Sequence, residues 1–165
     1  MSKCLITGTF DPPTRGHEYI VERALRVFDE VAVAILVNPD KHACFPAEER
    51  ISMFREAFGD AIEVFYYEGW AVDAAKAVSA DVLVRGIRGA ADLEYEREMA
   101  EYNAAHGMDT IFFFAPESLS NVSSTTVRDA LEKGADTKEY LSEGVNRRAL
   151  AYMEGKNGGH SSDHR

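Results

Sequence analysis

The sequence predicts an α/β fold in which an open, parallel, five-stranded sheet carries helices on both faces. Five short apolar runs rich in β-branched and aromatic residues are typical of buried strands, and segments with helical spacing separate them. Strict alternation of strand and helix indicates right-handed crossovers, which make the strands parallel. A chain of 165 residues, 45% of them hydrophobic, is long enough for one domain with a single core.

The five predicted strands are KCLITG, EVAVAILVN, AIEVFYY, DVLVRGI and DTIFFFA. Their near-continuous apolar character indicates strands that are covered on both faces. In an open parallel sheet, ligands bind beyond the carboxyl ends of the strands, near the point where the strand order reverses. Residues that follow a strand are therefore the first candidates for a functional site.

Apolar residues recur at helical spacing in two segments, Ile20, Val21, Ala24, Leu25, Val27 and Phe28 in the first and Ile51, Phe54 and Phe58 in the second. Pro46, followed by two acidic residues, is typical of a helix start because proline lacks the N–H that would be unpaired there. Lys133 and Gly134 are typical of a helix end. These signals support the alternating pattern.

One domain is predicted over residues 1–154, and the glycine-rich polar segment 155–165 is expected to be a disordered tail. His160 and His164 in this segment have the i,i+4 spacing of helical metal ligands. We favour the simpler alternative, a flexible tail without a metal.

Charge and composition exclude several classes of protein. A formal net charge of −10 argues against an extended nucleic-acid surface, which needs a basic face. The sequence contains neither a run of eighteen apolar residues nor the apolar segment of a secretion signal. Cys4 and Cys44 lack metal-ligand spacing and are typical of reduced thiols. We expect a cytoplasmic protein without membrane or nucleic-acid partners.

The first candidate site is the stretch GTFDPPTRGH at residues 8–17. The first strand delivers Gly8, Thr9 and Phe10 to the ligand edge, and Gly16 and His17 begin the next helix. A helix N-terminus binds phosphate, and an imidazole there can donate to an oxygen that gains charge. The alternative is that His17 only caps or packs the first turn. Neither GxGxxG nor GxxxxGK[ST] is present to explain the turn.

Arginines at the end of the fourth strand form the second candidate site. Arg85 and Arg88 flank Gly86, which lets the backbone approach a ligand closely. Two guanidinium groups in so acidic a chain indicate bidentate recognition of phosphate oxygens. The alternative is pairing with the acids that follow, Asp92, Glu94, Glu96 or Glu98, and the residues alone leave both open.

Hydroxyl residues open the helix after the fifth strand, in the order Ser123, Ser124, Thr125 and Thr126. One hydroxyl is enough for an N-cap, so four in succession favour a second anion site made of hydroxyls and helix-terminal N–H groups. Lys41, which follows the second strand, is the remaining candidate cation because of its place at a strand end.

These residues carry a resemblance to known enzymes. GTFDPPTRGH matches the pattern GTFDPxTxGH of the nucleotidyltransferase superfamily, including its [TH]xGH element at residues 14–17. Further matches are Lys41, EER at 48–50, RGIR at 85–88 with EYE at 94–96, Asn103 and the Ser-Ser-Thr helix start. From about Cys4 to Leu150, the combination resembles the phosphopantetheine adenylyltransferase family. The chain departs from that family at Ile6 and Thr7, and at Trp70 to Val72.

The resemblance implies adenylyl transfer from ATP, with Mg²⁺, to 4'-phosphopantetheine, giving dephospho-coenzyme A and pyrophosphate. It implies a catalytic set of His17, Lys41 and Arg88, in which His17 stabilises transition-state charge during in-line attack. The implied ATP contacts are Thr9, Phe10, His17, Gly86, Ile87, Arg88, Glu96, Leu119, Ser120, Asn121, Val122, Ser123, Ser124 and Thr125. The implied acceptor contacts are Thr9, Lys41, Ala71, Arg85 and Asn103. The family is typically homohexameric, and feedback binding of coenzyme A is left open.

Two other functions fit the residues. A nucleotidyltransferase with a different phosphorylated acceptor would share the histidine element. A non-catalytic nucleotide-binding module of α/β architecture would explain the strands and glycines, but it would not require cations at several strand ends.

Overall fold

Five parallel strands form the centre of the structure, a computed structural model that describes residues 1–158. The strands are β1 (Lys3–Gly8), β2 (Glu30–Val37), β3 (Glu63–Glu68), β4 (Val82–Ile87) and β5 (Thr110–Phe114). They pair in the order β3-β2-β1-β4-β5, and each pairing is parallel. The predicted fold class is therefore confirmed. The order reverses between β1 and β4, so a ligand crevice is expected beyond their carboxyl ends.

Helices cover both faces of the sheet. They are α1 (Arg15–Val27), α2 (Ala47–Phe58), α3 (Ala71–Ala77), α4 (Ala90–Ala105), α5 (Ser124–Glu132) and α6 (Glu143–Gly158). On one face, Ile6, Val33 and Val84 of the central strands pack against Ile20 of α1 and Phe54 of α2. This packing anchors α1, whose first turn carries the histidine singled out above.

The opposite face is covered by α3, with α4 beside it on β4 and β5. Leu5 and Leu83 of the sheet pack there against Val72 and Ala75 of α3. Leu5 and Ile6 thus bury their side chains on opposite faces, as the two-residue period of a strand requires.

A third apolar cluster joins the C-terminal helices to α2. Phe45 and Met53 pack with Val127 of α5, with Leu141 just before α6 and with Val145 in its first turn. All five side chains are fully buried. The cluster holds the N-terminus of α5 close to the carboxyl ends of the strands.

The edge strands β3 and β5 differ from the sequence prediction. Exposed and partly buried residues predominate in both, and Tyr66 and Phe114 are exposed at 53% and 67%. An edge strand has one neighbour and lies at the margin of the helical layers, so some side chains on each of its faces stay exposed. The prediction that all five strands are covered on both faces is wrong for these two, because their aromatic residues make them apolar whichever way the side chains point.

Helix boundaries follow the predicted signals. Pro46 is the N-cap of α2, and α5 ends at Glu132 with Lys133 as C-cap. Gly134 adopts a positive φ of 69°, which favours glycine at that position. The signals at Pro46, Lys133 and Gly134 are therefore confirmed.

The C-terminal helix extends beyond the predicted domain boundary. α6 continues through Gly158, so residues 155–158, assigned above to a disordered tail, are helical. Packing of Val145 and Ala149 starts a helix that the exposed last turn then prolongs. The rest of the predicted tail, with His160 and His164, lies outside the described residues. Within residues 1–158, none of the helices combines the length and apolar composition needed to cross a bilayer.

Candidate functional site

Three cavities open at the carboxyl ends of β1 and β4, and Thr9 lines all of them. The central cavity, of about 290 Å³, is lined among others by Thr9, Phe10, His17, Arg85, Gly86, Arg88, Glu96, Val122, Ser123, Ser124 and Thr125. The lysine cavity, of about 840 Å³, is lined among others by Thr9, Lys41, Arg50, Trp70 and Arg128. The inner cavity, of about 190 Å³, is lined among others by Thr9, Ala71, Arg85, Met99 and Asn103.

The central cavity collects side chains from separate segments of the chain. His17 lies in the first turn of α1 and Arg85 near the end of β4. Arg88 directly follows β4, and Ser123 is the N-cap of α5. These groups offer an imidazole, two guanidiniums and a helix N-terminus to one space. Such a set of donors suits a ligand that carries several phosphates.

The tautomer of His17 follows from one hydrogen bond. The backbone N–H of Thr14 donates to Nδ1 of His17 over 3.0 Å, so Nδ1 is an acceptor and carries no proton. In the neutral ring the proton is therefore on Nε2, which is free to donate to a ligand. Thr14 also caps α1, accepting the backbone N–H of His17. Both interpretations of His17 hold, because it caps the helix and lines the cavity.

His17 is a neutral donor at physiological pH. Burial, and then the nearby charges of Arg85 and Arg88, lower the pKa of His17 from 6.5 to about 4. The imidazole thus supplies a directed hydrogen bond without adding a positive charge. The cationic part of the site comes from the arginines.

We expect NMR titration of His17 to give a midpoint near pH 4. Because the unfolded chain binds this proton at higher pH, the stability contributed by neutral His17 is complete above pH 6.5 and is lost as the pH falls towards 4.

Arg88→Met should raise the pKa of His17, since one repelling charge is removed while burial remains. Arg55→Met, which removes an exposed arginine of α2, serves as the control. A midpoint near 6.5 in the unchanged protein would contradict this account.

The turn after β1 is strained. Phe10 has a φ of 50°, an uncommon conformation for a bulky residue that costs about 1–3 kcal/mol. Its buried ring meets the rings of His17 and Phe54 edge-on, each at 4.9 Å between centroids. A Cβ on Gly8 would lie 2.9 Å from the Phe10 ring, so only glycine fits before this turn. The strained turn brings an aromatic ring against the imidazole.

Arg85 is held by two partners. Its Nε and Nη2 donate to the two carboxylate oxygens of Glu96 over 3.1 and 2.7 Å, and its Nη1 donates to the Thr7 carbonyl over 2.5 Å. Arg88 lies 3.5 Å from Asp92, which also accepts the Arg88 backbone N–H. The structure therefore combines the two alternatives left open above, since both arginines pair with acids and both line the central cavity. Glu96 directs its two oxygens at Arg85.

The hydroxyls at the start of α5 have structural partners as well. Ser123 accepts the backbone N–H of Thr126 as N-cap, and Ser124 donates to the Pro12 carbonyl over 2.8 Å. Thr125 accepts from Nη2 of Arg128. Ser123 to Thr125 nevertheless line the central cavity, so capping and a ligand-facing position coexist here too.

Lys41 and Arg85 do not share a cavity. Lys41 is exposed, makes no ion pair within the described part of the chain, and lines the lysine cavity. Arg85 lines the central and inner cavities instead. Thr9 connects the two, so a phosphate beside Thr9 would lie between them. Ala71 and Asn103 come together in the inner cavity, and the Asn103 side chain is buried.

Four of the implied ATP contacts lie outside the central cavity. Ile87 lines a groove between α4 and β5 instead. Leu119, Ser120 and Asn121 precede Val122, which is the first residue of that segment to reach the cavity.

Three polar residues at the site escaped the sequence analysis. Asp11 is buried and accepts the backbone N–H groups of Cys44 and Phe45. Arg50 donates to the Thr9 carbonyl, and Arg128 donates to the Asp11 carbonyl. Asp11 lies within the motif GTFDP and Arg50 within EER, and these motifs were the only sequence signal for the two residues. Their contacts are with residues far along the chain and leave no local pattern.

Metal ligands do not cluster at the site. Among residues 1–158, no three His, Cys, Asp or Glu side chains come together in a way that could hold a metal ion. The acids nearest the central cavity, Asp92 and Glu96, face Arg88 and Arg85.

The fold and the phosphate-suited cavity at the strand switch point define a nucleotidyltransferase-type site. The cytidylyltransferase-like family model matches residues 5–130. Among solved structures, the chain is similar to a bifunctional NMN adenylyltransferase/ADP ribose pyrophosphatase from Francisella tularensis, with a TM-score of 0.70 and 16% identity over 93% of this chain and 50% of that one. This likeness concerns the fold.

Curated relatives narrow the class. A phosphopantetheine adenylyltransferase of Phocaeicola vulgatus is 40% identical over 148 residues, which are 88% of this chain and 98% of the relative. One of Porphyromonas gingivalis is 43% identical over 143 residues, 85% of this chain and 94% of the relative. The chain therefore belongs to the phosphopantetheine adenylyltransferase family, within the cytidylyltransferase-like group.

Proposed function

We propose that this protein transfers the adenylyl group of ATP to 4'-phosphopantetheine, giving dephospho-coenzyme A and pyrophosphate. The proposal rests on one observation above all: His17, Arg85, Arg88 and the start of α5 line one cavity, and that cavity meets the lysine cavity at Thr9. Two anionic substrates can thus be brought together beside Thr9. The family membership of the chain supports the same reaction.

The chemistry needs little more than alignment and charge. The phosphate of the acceptor is already an anionic nucleophile, so no general base is required when it attacks the α-phosphorus of ATP in line. The bond from the α-phosphorus to the bridging oxygen breaks, and pyrophosphate leaves with that oxygen. Nε2–H of His17 donates to an oxygen of the transferring group as its charge redistributes.

Different cations bind the acceptor phosphate and the pyrophosphate of ATP. Lys41, from the lysine cavity, offsets repulsion between the acceptor phosphate and ATP. Arg88 and the start of α5 retain the departing pyrophosphate. Arg85, held by Glu96 and Thr7, presents its remaining N–H groups at the junction of the central and inner cavities. The amide of Asn103 in the inner cavity is suited to the amide groups of the pantetheine arm.

Magnesium enters in this proposal as part of the substrate MgATP. Mg²⁺ is commonly held by substrate phosphates and water with few protein ligands, which is compatible with the absence of an acidic cluster within residues 1–158. Its chemical contribution is to neutralise charge on the phosphates.

The decisive experiment is an assay of pyrophosphate release from ATP and Mg²⁺ with a panel of phosphorylated acceptors, with the product identified by mass. We expect release with 4'-phosphopantetheine. Turnover only with another acceptor would favour a different nucleotidyltransferase, and tight ATP binding without turnover would favour a non-catalytic module. Trp70, the single tryptophan, lines the lysine cavity and provides a fluorescence signal for acceptor binding.

We further propose that the protein assembles as a homohexamer, as its family typically does. Leu93 and Phe114 expose 44% and 67% of their surfaces and line one groove between α4 and β5, which forms an apolar patch suited to contact with another copy. Sedimentation velocity should give a single hexameric species. Phe114→Glu should shift it to smaller species, and a monomeric unchanged protein would contradict the proposal.

Coenzyme A shares the pantetheine arm and adenosine phosphates of the proposed product. We propose that it competes with the acceptor for the same cavities. We also propose a cytoplasmic location, where Cys4 and Cys44, both free thiols, remain reduced. Inhibition that acceptor relieves would support competition.

A further inference from the structure

Arg50 is a buried cation that the mechanism above does not use. It lies in the first turn of α2, is 3% exposed, and donates from Nη1 to the Thr9 carbonyl over 2.8 Å. Its Nε is buried without a hydrogen-bond partner in the described part of the chain. Burial of a guanidinium with an unpaired N–H group lowers the stability of the fold. The burial of Arg50 therefore needs an explanation.

Attraction to Asp11 does not explain this burial. Asp11 interacts favourably with Arg50, but its two carboxylate oxygens accept the backbone N–H groups of Cys44 and Phe45. No ion pair joins Arg50 to an acid among residues 1–158. Within residues 1–158, the guanidinium therefore makes its hydrogen bond to a backbone carbonyl at the centre of the site.

Helix α2 holds the strained turn at two points. Arg50 holds the Thr9 carbonyl, and Phe54, one helical turn later on the same face, packs against the Phe10 ring. The other contact of that ring is the imidazole of His17. A continuous series of contacts thus runs from α2 through Phe10 to His17.

The carbonyl contact also orients the peptide between Thr9 and Phe10. In a trans peptide the C=O and N–H groups point in opposite directions, so a Thr9 carbonyl directed at α2 turns the Phe10 N–H away from it. That N–H donates no hydrogen bond within the described residues. Phe10 itself lines the central cavity.

We propose that Arg50 is a positioning residue, which holds the Thr9–Phe10 turn and, through the Phe10 ring, the imidazole of His17 in its reactive orientation. This inference rests on the proposed adenylyl transfer. The proposal gives Arg50 of the EER motif a role that is neither substrate binding nor helix capping.

The test compares Arg50→Met, Arg50→Lys and Arg55→Met. Arg50→Met keeps an apolar stem without donors, and we expect kcat to fall about 10- to 100-fold while KM for both substrates stays within about threefold. Arg50→Lys can still donate to the Thr9 carbonyl and should recover part of the loss. Arg55→Met removes an exposed arginine from the same helix and should leave kcat unchanged.

Two kinetic outcomes would overturn the proposal. An unchanged kcat with a raised KM for the acceptor would make Arg50 a phosphate ligand of the lysine cavity. An unchanged kcat and KM with a lower melting temperature would leave it a purely structural residue.

A spectroscopic measurement separates this inference from the proposed function. The ¹⁵N resonances of His17, assigned with His17→Gln, report the orientation and tautomer of the ring without any substrate. We expect them to shift or broaden in Arg50→Met and to stay in place in Arg55→Met. If the unchanged protein proves inactive with every acceptor, the adenylyl-transfer proposal fails, while unshifted His17 resonances in Arg50→Met would overturn the positioning role by themselves.

Discussion

His17→Ala is expected to lower turnover by about 10²- to 10³-fold while ATP binds nearly normally. The substitution removes a preorganised donor at the transferring phosphate, and loss of one such donor typically has an effect of about that size. Arg85, Arg88 and the start of α5 remain to bind the nucleotide. The measurements are kcat from pyrophosphate release and the dissociation constant of ATP from calorimetry.

The control for His17→Ala must separate catalysis from helix capping, because Nδ1 accepts the Thr14 N–H. His17→Gln provides it, since glutamine is favourable at this capping position but lacks the ring, packed against Phe10, that fixes the N–H donor at the Nε2 position. We expect near-normal thermal stability and the same loss of turnover. If His17→Ala and His17→Gln both keep turnover within threefold of the unchanged protein, His17 is only a cap.

Arg85→Met is expected to reduce both stability and turnover. It leaves the buried carboxylate of Glu96 without its partner, and breaking such a pair costs about 3–5 kcal/mol when fully buried. Because the Arg85 side chain is 30% exposed, we expect about 2–3 kcal/mol by urea denaturation. Turnover should fall about 100-fold, as for loss of another charged donor.

Removing both partners distinguishes the two effects. Arg85→Met combined with Glu96→Met leaves no unpaired charge, so most of the lost free energy of unfolding should return while turnover stays low. Arg97→Met, which breaks the exposed pair with Glu101, should change stability by less than about 1 kcal/mol. Recovery of turnover in the double variant would show that Arg85 has no part in the reaction.

Local pattern was sufficient for the elements of this fold. The two-residue and 3.6-residue periods of the apolar residues depend only on neighbours in the chain, so the strands, the helix starts near Gly16 and at Pro46 and the stop at Gly134 could be predicted. The motifs around His17, Arg85 and Ser123 were visible for the same reason. Family resemblance extended this to the reaction class, which the curated relatives support.

Long-range placement needed the folded chain. Whether a strand is central or at an edge depends on sheet order. The prediction of burial on both faces is therefore wrong for the edge strands β3 and β5. Likewise, the partners of Arg50 and Arg85 include carbonyls 41 and 78 residues away along the chain. Spacing in sequence cannot show which cation meets which acceptor, because strand ends become neighbours only when the sheet assembles. The neutral imidazole is the clearest case: its pKa is lowered by burial and by two arginines that tertiary packing brings beside it.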